Sequence, residues 1–140
     1  LTKLGIKDSK EISDAKIMEL GKYLIENIDQ TVLLLNNEKY NKIINDPNTN
    51  LNKIKAILHN KVINNFLQKY PSIKYDLIIV DGFCEEKKYY EYLKGKSDVC
   101  YSTKLIQKAE NKYISVANKY SDILNAYTAA SQNKNIYIDV

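Results

Sequence analysis

The pattern of apolar residues along this chain predicts an α/β fold, a sandwich in which at least part of the sheet is parallel. One observation carries that expectation, the alternation of helical periods with short apolar runs of strand length, and two more agree with a single domain. No Gly/Pro/Ser-rich linker breaks the pattern, and the length fits. With 140 residues, 44% of them hydrophobic, the chain matches one domain of ordinary size, able to bury a core without disulfides or a structural metal.

Taken in order, Ser13 is a candidate N-cap, and Ile17, Leu20, Leu24, Ile25 and Ile28 follow at helical spacing, so a helix is expected to end near Asn27 to Asp29. Thr31 to Leu35 is short and apolar, the signature of a strand buried on both faces, closed by Asn36 and Asn37. Glu38 to Ile44 reads as a short helical turn, and Asp46-Pro-Asn-Thr-Asn50 as a loop. Leu51, Ile54, Ile57, Leu58, Val62, Phe66 and Leu67 trace a long apolar stripe that Pro71 stops. Tyr75 to Phe83 reads as a central strand ending at Asp81-Gly82. Glu85 to Leu93 follows as a short helix, Val99 to Thr103 as a strand, and another helix begins near Ala109. Beyond Asn118 the pattern weakens: Asp122 to Ala130 has helical character, Gln132 to Asn135 is polar, and Ile136 to Val140 is strand-like.

Composition excludes several classes. All 21 basic residues are lysine, and Lys, Ile, Asn and Tyr, whose codons are A/T-rich, make up nearly half of the chain. The 12 tyrosines and 16 asparagines therefore reflect codon usage rather than a stacking platform or a prion-like tract. A net charge of +4 leans mildly toward a polyanionic partner. Cys84 and Cys100 are too few for a disulfide framework and form no CxxC pair, which favours reduced thiols and a cytoplasmic setting. No apolar run approaches the ~20 residues of a membrane helix. The chain opens at Leu1, inside apparently structured sequence, with no secretory signal, as a processed product or a piece of something longer would.

Chemistry concentrates at few positions. Asp81 is a carboxylate at the carboxyl end of a buried strand, with Gly82 allowing an immediate turn; open α/β sheets place ligands and metals at this edge, and an Asp capping the next turn would look the same. Glu110, at the junction between a strand and the next helix, is the best second acid, although an acid at a helix start can simply complement its dipole. His59 is the only histidine, so a His-based zinc site is excluded and a structural or substrate-side role is left. Ser9 lacks a GxSxG setting, and neither GxxxxGK[ST] nor GxGxxG occurs among the 4 glycines.

Several segments, taken together, carry a resemblance. Leu4-Gly-Ile-Lys-Asp-Ser-Lys10, Asn37-Glu-Lys-Tyr-Asn41, Asn50-Leu-Asn-Lys-Ile-Lys-Ala-Ile-Leu-His-Asn60, Ile79-Val-Asp-Gly-Phe83, and Thr103 with Lys108-Ala-Glu110 and Ile114-Ser-Val-Ala117 stand in the order and at the intervals of bacterial ribonuclease HIII, over residues 1–117. The neighbouring ribonuclease HII branch shares the Asp-Ser-Lys block and the strand-end Asp. The resemblance implies a ribonuclease H-like sandwich, a mixed sheet flanked by helices and incomplete at its N-terminus. It also implies two-metal-ion hydrolysis of the RNA strand of RNA–DNA hybrids, with Mg²⁺ or, in its place, Mn²⁺ held by four carboxylates. Asp81 would be the third of these and Glu110 the fourth. Lys7, Asp8, Ser9, Lys10, Lys53, Lys55, His59 and Asn60 lie in blocks that face substrate in the family, and RNA would be told from DNA through its 2′-hydroxyl. The partner is the hybrid, with no membrane and no stable protein partner.

Two departures accompany the match. The family's first two carboxylates form an Asp-Glu pair on an opening strand, followed by a glycine-rich motif that contacts the 2′-hydroxyl, and both belong upstream of Leu1, as does the family's N-terminal substrate-binding domain. The chain by itself is therefore expected to hold metal poorly, not to cleave at a useful rate, and to be marginally stable or to associate through an open strand edge. Residues 118–140 do not match the family and form a divergent tail. A non-catalytic, nucleic-acid-binding relic of the same domain is the alternative, marked by salt-sensitive hybrid binding in EDTA without cleavage. A flavodoxin-like ligand- or protein-binding domain is a third reading, which would show no hybrid binding at any salt.

Overall fold

The computed structural model describes residues 6–106 and 112–132, which carry a 3₁₀ turn (Ser9–Glu11), α1 (Asp14–Asn27), α2 (Asn37–Ile44), α3 (Leu51–Lys69), β1 (Ile78–Asp81), α4 (Glu86–Tyr92), β2 (Thr103–Ile106) and α5 (Lys112–Gln132). They divide into two compact units, Leu1–Gln30 with Lys112–Val140, and Thr31–Asn111.

In the first unit α1 packs on α5. The Ser13 hydroxyl accepts from the Lys16 N–H at 3.3 Å, occupying a donor that the first helical turn leaves without an intrahelical partner. Ile17, Leu20 and Leu24 are buried from α1, and Ile114, Ile123 and Leu124 from α5. Ile25, placed on the buried stripe by its spacing, is 41% exposed. Gly21 is buried against the Tyr127 side chain, and a Cβ there would overlap the root of that ring. α5 runs through Asn118 without a break, because no glycine or proline interrupts residues 112–132. The strand-like run Ile136 to Val140 lies outside the described residues.

In the second unit Asn36 and Asn50 cap α2 and α3, their side-chain oxygens accepting from the N–H groups of Lys39 at 2.8 Å and Lys53 at 2.9 Å. β1 and β2 pair in parallel, Ile78 opposite Thr103 and Asp81 opposite Ile106. Ala56 of α3 and Tyr89 and Leu93 at α4 form the buried cluster, with Phe83, Cys84, Val99 and Leu105 packed against it. Tyr90 donates its hydroxyl to the Thr103 carbonyl, and Glu86 Oε1 accepts from the Leu105 N–H at 3.2 Å, so α4 is tied to β2.

Three expectations about strands are corrected here. Thr31 to Leu35 joins no ladder among the described residues: β1 and β2 pair only with each other there, and Leu34 is 59% exposed. The strand expected over Tyr75 to Phe83 shortens to Ile78–Asp81, bounded by hydrogen bonds from the Ile78 N–H to the Ser102 carbonyl and from the Gly82 N–H to the Ile106 carbonyl. The strand expected over Val99 to Thr103 begins only at Thr103. Asn60 Oδ1 accepts from the Cys100 N–H, and the Thr103 N–H turns back onto the Cys100 carbonyl, so the preceding residues are spent on a turn.

Candidate functional site

The parallel register places Asp81 and Ile106 side by side at the carboxyl ends of β1 and β2, the end at which open parallel sheets gather ligands. Asp81 is half-buried there. The Gly82 N–H donates to the Ile106 carbonyl at 2.8 Å and turns the chain immediately after the acid. Glu110 follows Ile106 by four positions and lies outside the described residues.

Phe83 ties this turn to α3. The His59 ring stacks on Phe83 with centroids 4.9 Å apart and an interplanar angle of 29°. The Lys55 ammonium lies 5.9 Å from the centre of the same ring, and the edge of Tyr89 supports it at 6.2 Å. Lys55 and His59 are one turn apart on α3 and so share a face. Two residues expected from sequence to meet substrate are thus brought against the turn that follows Asp81. Lys53, also from that block, is half-buried in the first turn of α3.

Asn60 is engaged within the fold. It is 2% exposed; its Oδ1 accepts from the Cys100 N–H at 3.2 Å, and its Nδ2 donates to the Asp98 carbonyl at 3.3 Å. In the other unit, Asp8 Oδ1 accepts from the Lys10 N–H at 3.0 Å and closes the 3₁₀ turn. The Ser9 N–H and hydroxyl donate to the two carboxylate oxygens of Asp122 at 2.7 and 2.9 Å. Lys7 and Lys10 are exposed beside them.

Phe83 and Asp122 carry no label in the sequence. A ring two residues past a strand-end acid is a weak signal for Phe83, and nothing local marks Asp122, because its partner is 113 positions away. The thiol of Cys84 is raised above the ordinary range, by burial first and then by the negative charge of Glu85, so it is held as a weakly nucleophilic thiol. Asp81 offers the hard oxygen ligand that Mg²⁺ or Mn²⁺ takes. Among the described residues no group of three His, Cys, Asp or Glu converges.

The fold and the blocks around this edge have counterparts in known proteins. A family model described as Ribonuclease HII matches residues 1–120. A ribonuclease HIII of Bacillus velezensis is 39% identical over 117 residues, 84% of this chain and 37% of that protein. The ribonuclease HIII of Bacillus mycoides is 39% identical over 131 residues, 94% of this chain and 38% of that one. The chain therefore spans less than half the length of these relatives. Among solved structures, Bst-RNase HIII in complex with Mn²⁺ superposes with a TM-score of 0.77 at 24% identity, covering 95% of this chain and 44% of that one, which shows a shared ribonuclease H-like fold. With the family's pattern running from Leu1 through the strand-end acid and into α5, the chain belongs to the ribonuclease HII family.

Proposed function

We propose that this chain is part of a type 2 ribonuclease H of the ribonuclease HIII kind, which hydrolyses the RNA strand of RNA–DNA hybrids with the help of divalent cations. The observation that carries the reading is the strand-end carboxylate of Asp81, set beside a turn against which Lys55 and His59 are packed. That arrangement offers a hard anionic ligand for a divalent cation next to a lysine ammonium able to meet a phosphate. Family membership and the names of the relatives support it, as does the Mn²⁺ bound by a protein of the same fold.

In this reading Asp81 and Glu110 are the acids this chain contributes to the metal site, with Mg²⁺ as the physiological ion. Bound there, divalent cations would assist water attack on phosphorus and departure of the 3′-oxygen. The chain's own residues hold and orient the substrate: Lys7, Lys10, Lys53 and Lys55 meet phosphates, with Asp8, Ser9, His59 and Asn60 in the same substrate-facing blocks. Residues 1–117 are the partial catalytic domain and 118–140 the divergent tail, in a cytoplasmic protein whose partner is the hybrid itself.

The test uses the intact protein that carries this chain. Asp81→Asn should abolish Mg²⁺-dependent cleavage of a hybrid while hybrid binding in EDTA and the circular-dichroism spectrum stay unchanged. Cleavage that survives the substitution would remove Asp81 from the metal site. Tight, salt-sensitive hybrid binding by the unsubstituted protein with no cleavage in Mg²⁺ or Mn²⁺ would replace the enzyme with a non-catalytic binding module.

A further inference from the structure

The contact between α3 and the turn after Asp81 fixes more than the position of His59. Its Nδ1 lies 2.7 Å from the Lys55 carbonyl oxygen. A carbonyl oxygen has only lone pairs to offer, so Nδ1 must carry the proton and donate. Whenever the imidazole is neutral, the proton on Nδ1 leaves a lone pair on Nε2, which is then an acceptor. The stack on Phe83 holds the ring plane, and among the described residues Nε2 has no hydrogen-bond partner. The residue is half-buried rather than sealed in the core.

An acceptor of this kind is a poor match for a phosphate oxygen, which also accepts, and a good match for a hydroxyl. The ammonium of Lys55, one turn away over the same Phe83 ring, is the complementary group for phosphate. We propose that His59 Nε2 accepts a hydrogen bond from a ribose 2′-hydroxyl while Lys55 meets the neighbouring phosphate, so that His59 is a specificity residue that reads RNA against DNA. The assignment rests on the reading of the chain as part of a hybrid-cleaving ribonuclease, and it names which atom distinguishes the two sugars at this turn. Phe83 is its positioning residue, holding the imidazole plane two residues from Asp81.

The experiment compares the intact protein with His59→Phe, which keeps a ring to stack on Phe83 and removes the acceptor. Equilibrium binding is measured in EDTA for an RNA–DNA hybrid and for a DNA duplex of the same sequence. The hybrid affinity should fall by about tenfold, the worth of one hydrogen bond, while the duplex affinity is unchanged. Lys55→Gln should weaken both about equally and reduce the salt dependence by roughly one phosphate contact. Should the Phe variant fail to fold, His59→Met, which fills a similar space without a nitrogen, is expected to give the same selective loss. An equal loss on hybrid and duplex would make His59 a phosphate contact, and an unchanged hybrid affinity in a folded variant would make it structural; either overturns the proposal. If the unsubstituted protein itself shows no preference for the hybrid, the hybrid-cleaving reading fails and takes this assignment with it.

Discussion

Asn60 stands in a substrate-facing block by sequence and inside the second unit by structure, and its replacement separates those roles. The side chain is 2% exposed; Oδ1 accepts from the Cys100 N–H at 3.2 Å, and Nδ2 donates to the Asp98 carbonyl at 3.3 Å. In Asn60→Ala the Asp98 carbonyl keeps a donor, because Asn64 Nδ2 already reaches it at 2.8 Å. The Cys100 N–H loses the acceptor that holds the turn before β2. An unpaired, half-buried backbone donor costs about 1–3 kcal/mol, and loss of the amide's packing adds to it, so destabilisation of about 2–3 kcal/mol is expected. Asn60→Asp keeps the acceptor and loses the donor, and it sets a carboxylate against the Asp98 carbonyl and near its Oδ1, 3.5 Å from Nδ2. Its deficit should therefore shrink on acidification, as the new carboxyl group takes up a proton. Urea unfolding followed by circular dichroism reads both effects, and hybrid binding under native conditions is measured beside it. An Asn60→Ala midpoint equal to that of the unsubstituted protein would refute the account, as would loss of binding in a variant of undiminished stability, which would make Asn60 a ligand contact.

In the first unit, Gly21→Ala should destabilise despite a gain in helix propensity of about 1 kcal/mol, because the new methyl group meets Cβ and Cγ of Tyr127, which cannot swing away; overpacking of this kind costs about 1–3 kcal/mol. In a Tyr127→Ala background the same substitution should turn stabilising, and a thermal double-mutant cycle checks the reversal of sign. The Tyr89 phenol is pushed up to about 12, by burial first and then by the neighbouring Tyr90. Since the folded state holds that proton more tightly than the unfolded chain, the contribution is complete below about pH 10 and is lost as pH rises from there toward 12. Urea midpoints measured across that window should fall, and the fall should be shallower in Tyr89→Phe; identical slopes in the two proteins would assign the alkaline loss to other groups.

What could be read without coordinates was what short-range forces decide. A capping side chain acts on an N–H three residues on, so Ser13 marks the start of α1 in the sequence and in the fold alike, whereas Asn36 and Asn50, read as a strand end and a loop, are shown by the structure to cap α2 and α3. The apolar stripe of α3, its stop before Pro71, and the acid and glycine that end β1 are equally local. Those features, with the blocks that run from Leu4 to Ala117, were enough for the α/β class and for the family.

Long-range contacts decided the rest. A strand exists only where a partner supplies its ladder, so Thr31 to Leu35 has the composition of a strand and no ladder among the described residues, and the start of β2 is set by Asn60, 40 positions away from Cys100. The same is true of the Asp122 carboxylate that receives Ser9 across 113 positions. The sequence by itself determined where α1 begins, where the strand-end acid sits and which family the chain belongs to, because each depends on neighbours a few residues apart or on the order of the blocks. Only the tertiary structure decided that His59 and Lys55 converge on Phe83, which nitrogen of the imidazole meets the Lys55 carbonyl, and which substrate-block side chains the fold itself employs, because those outcomes depend on groups that meet only once the chain has folded.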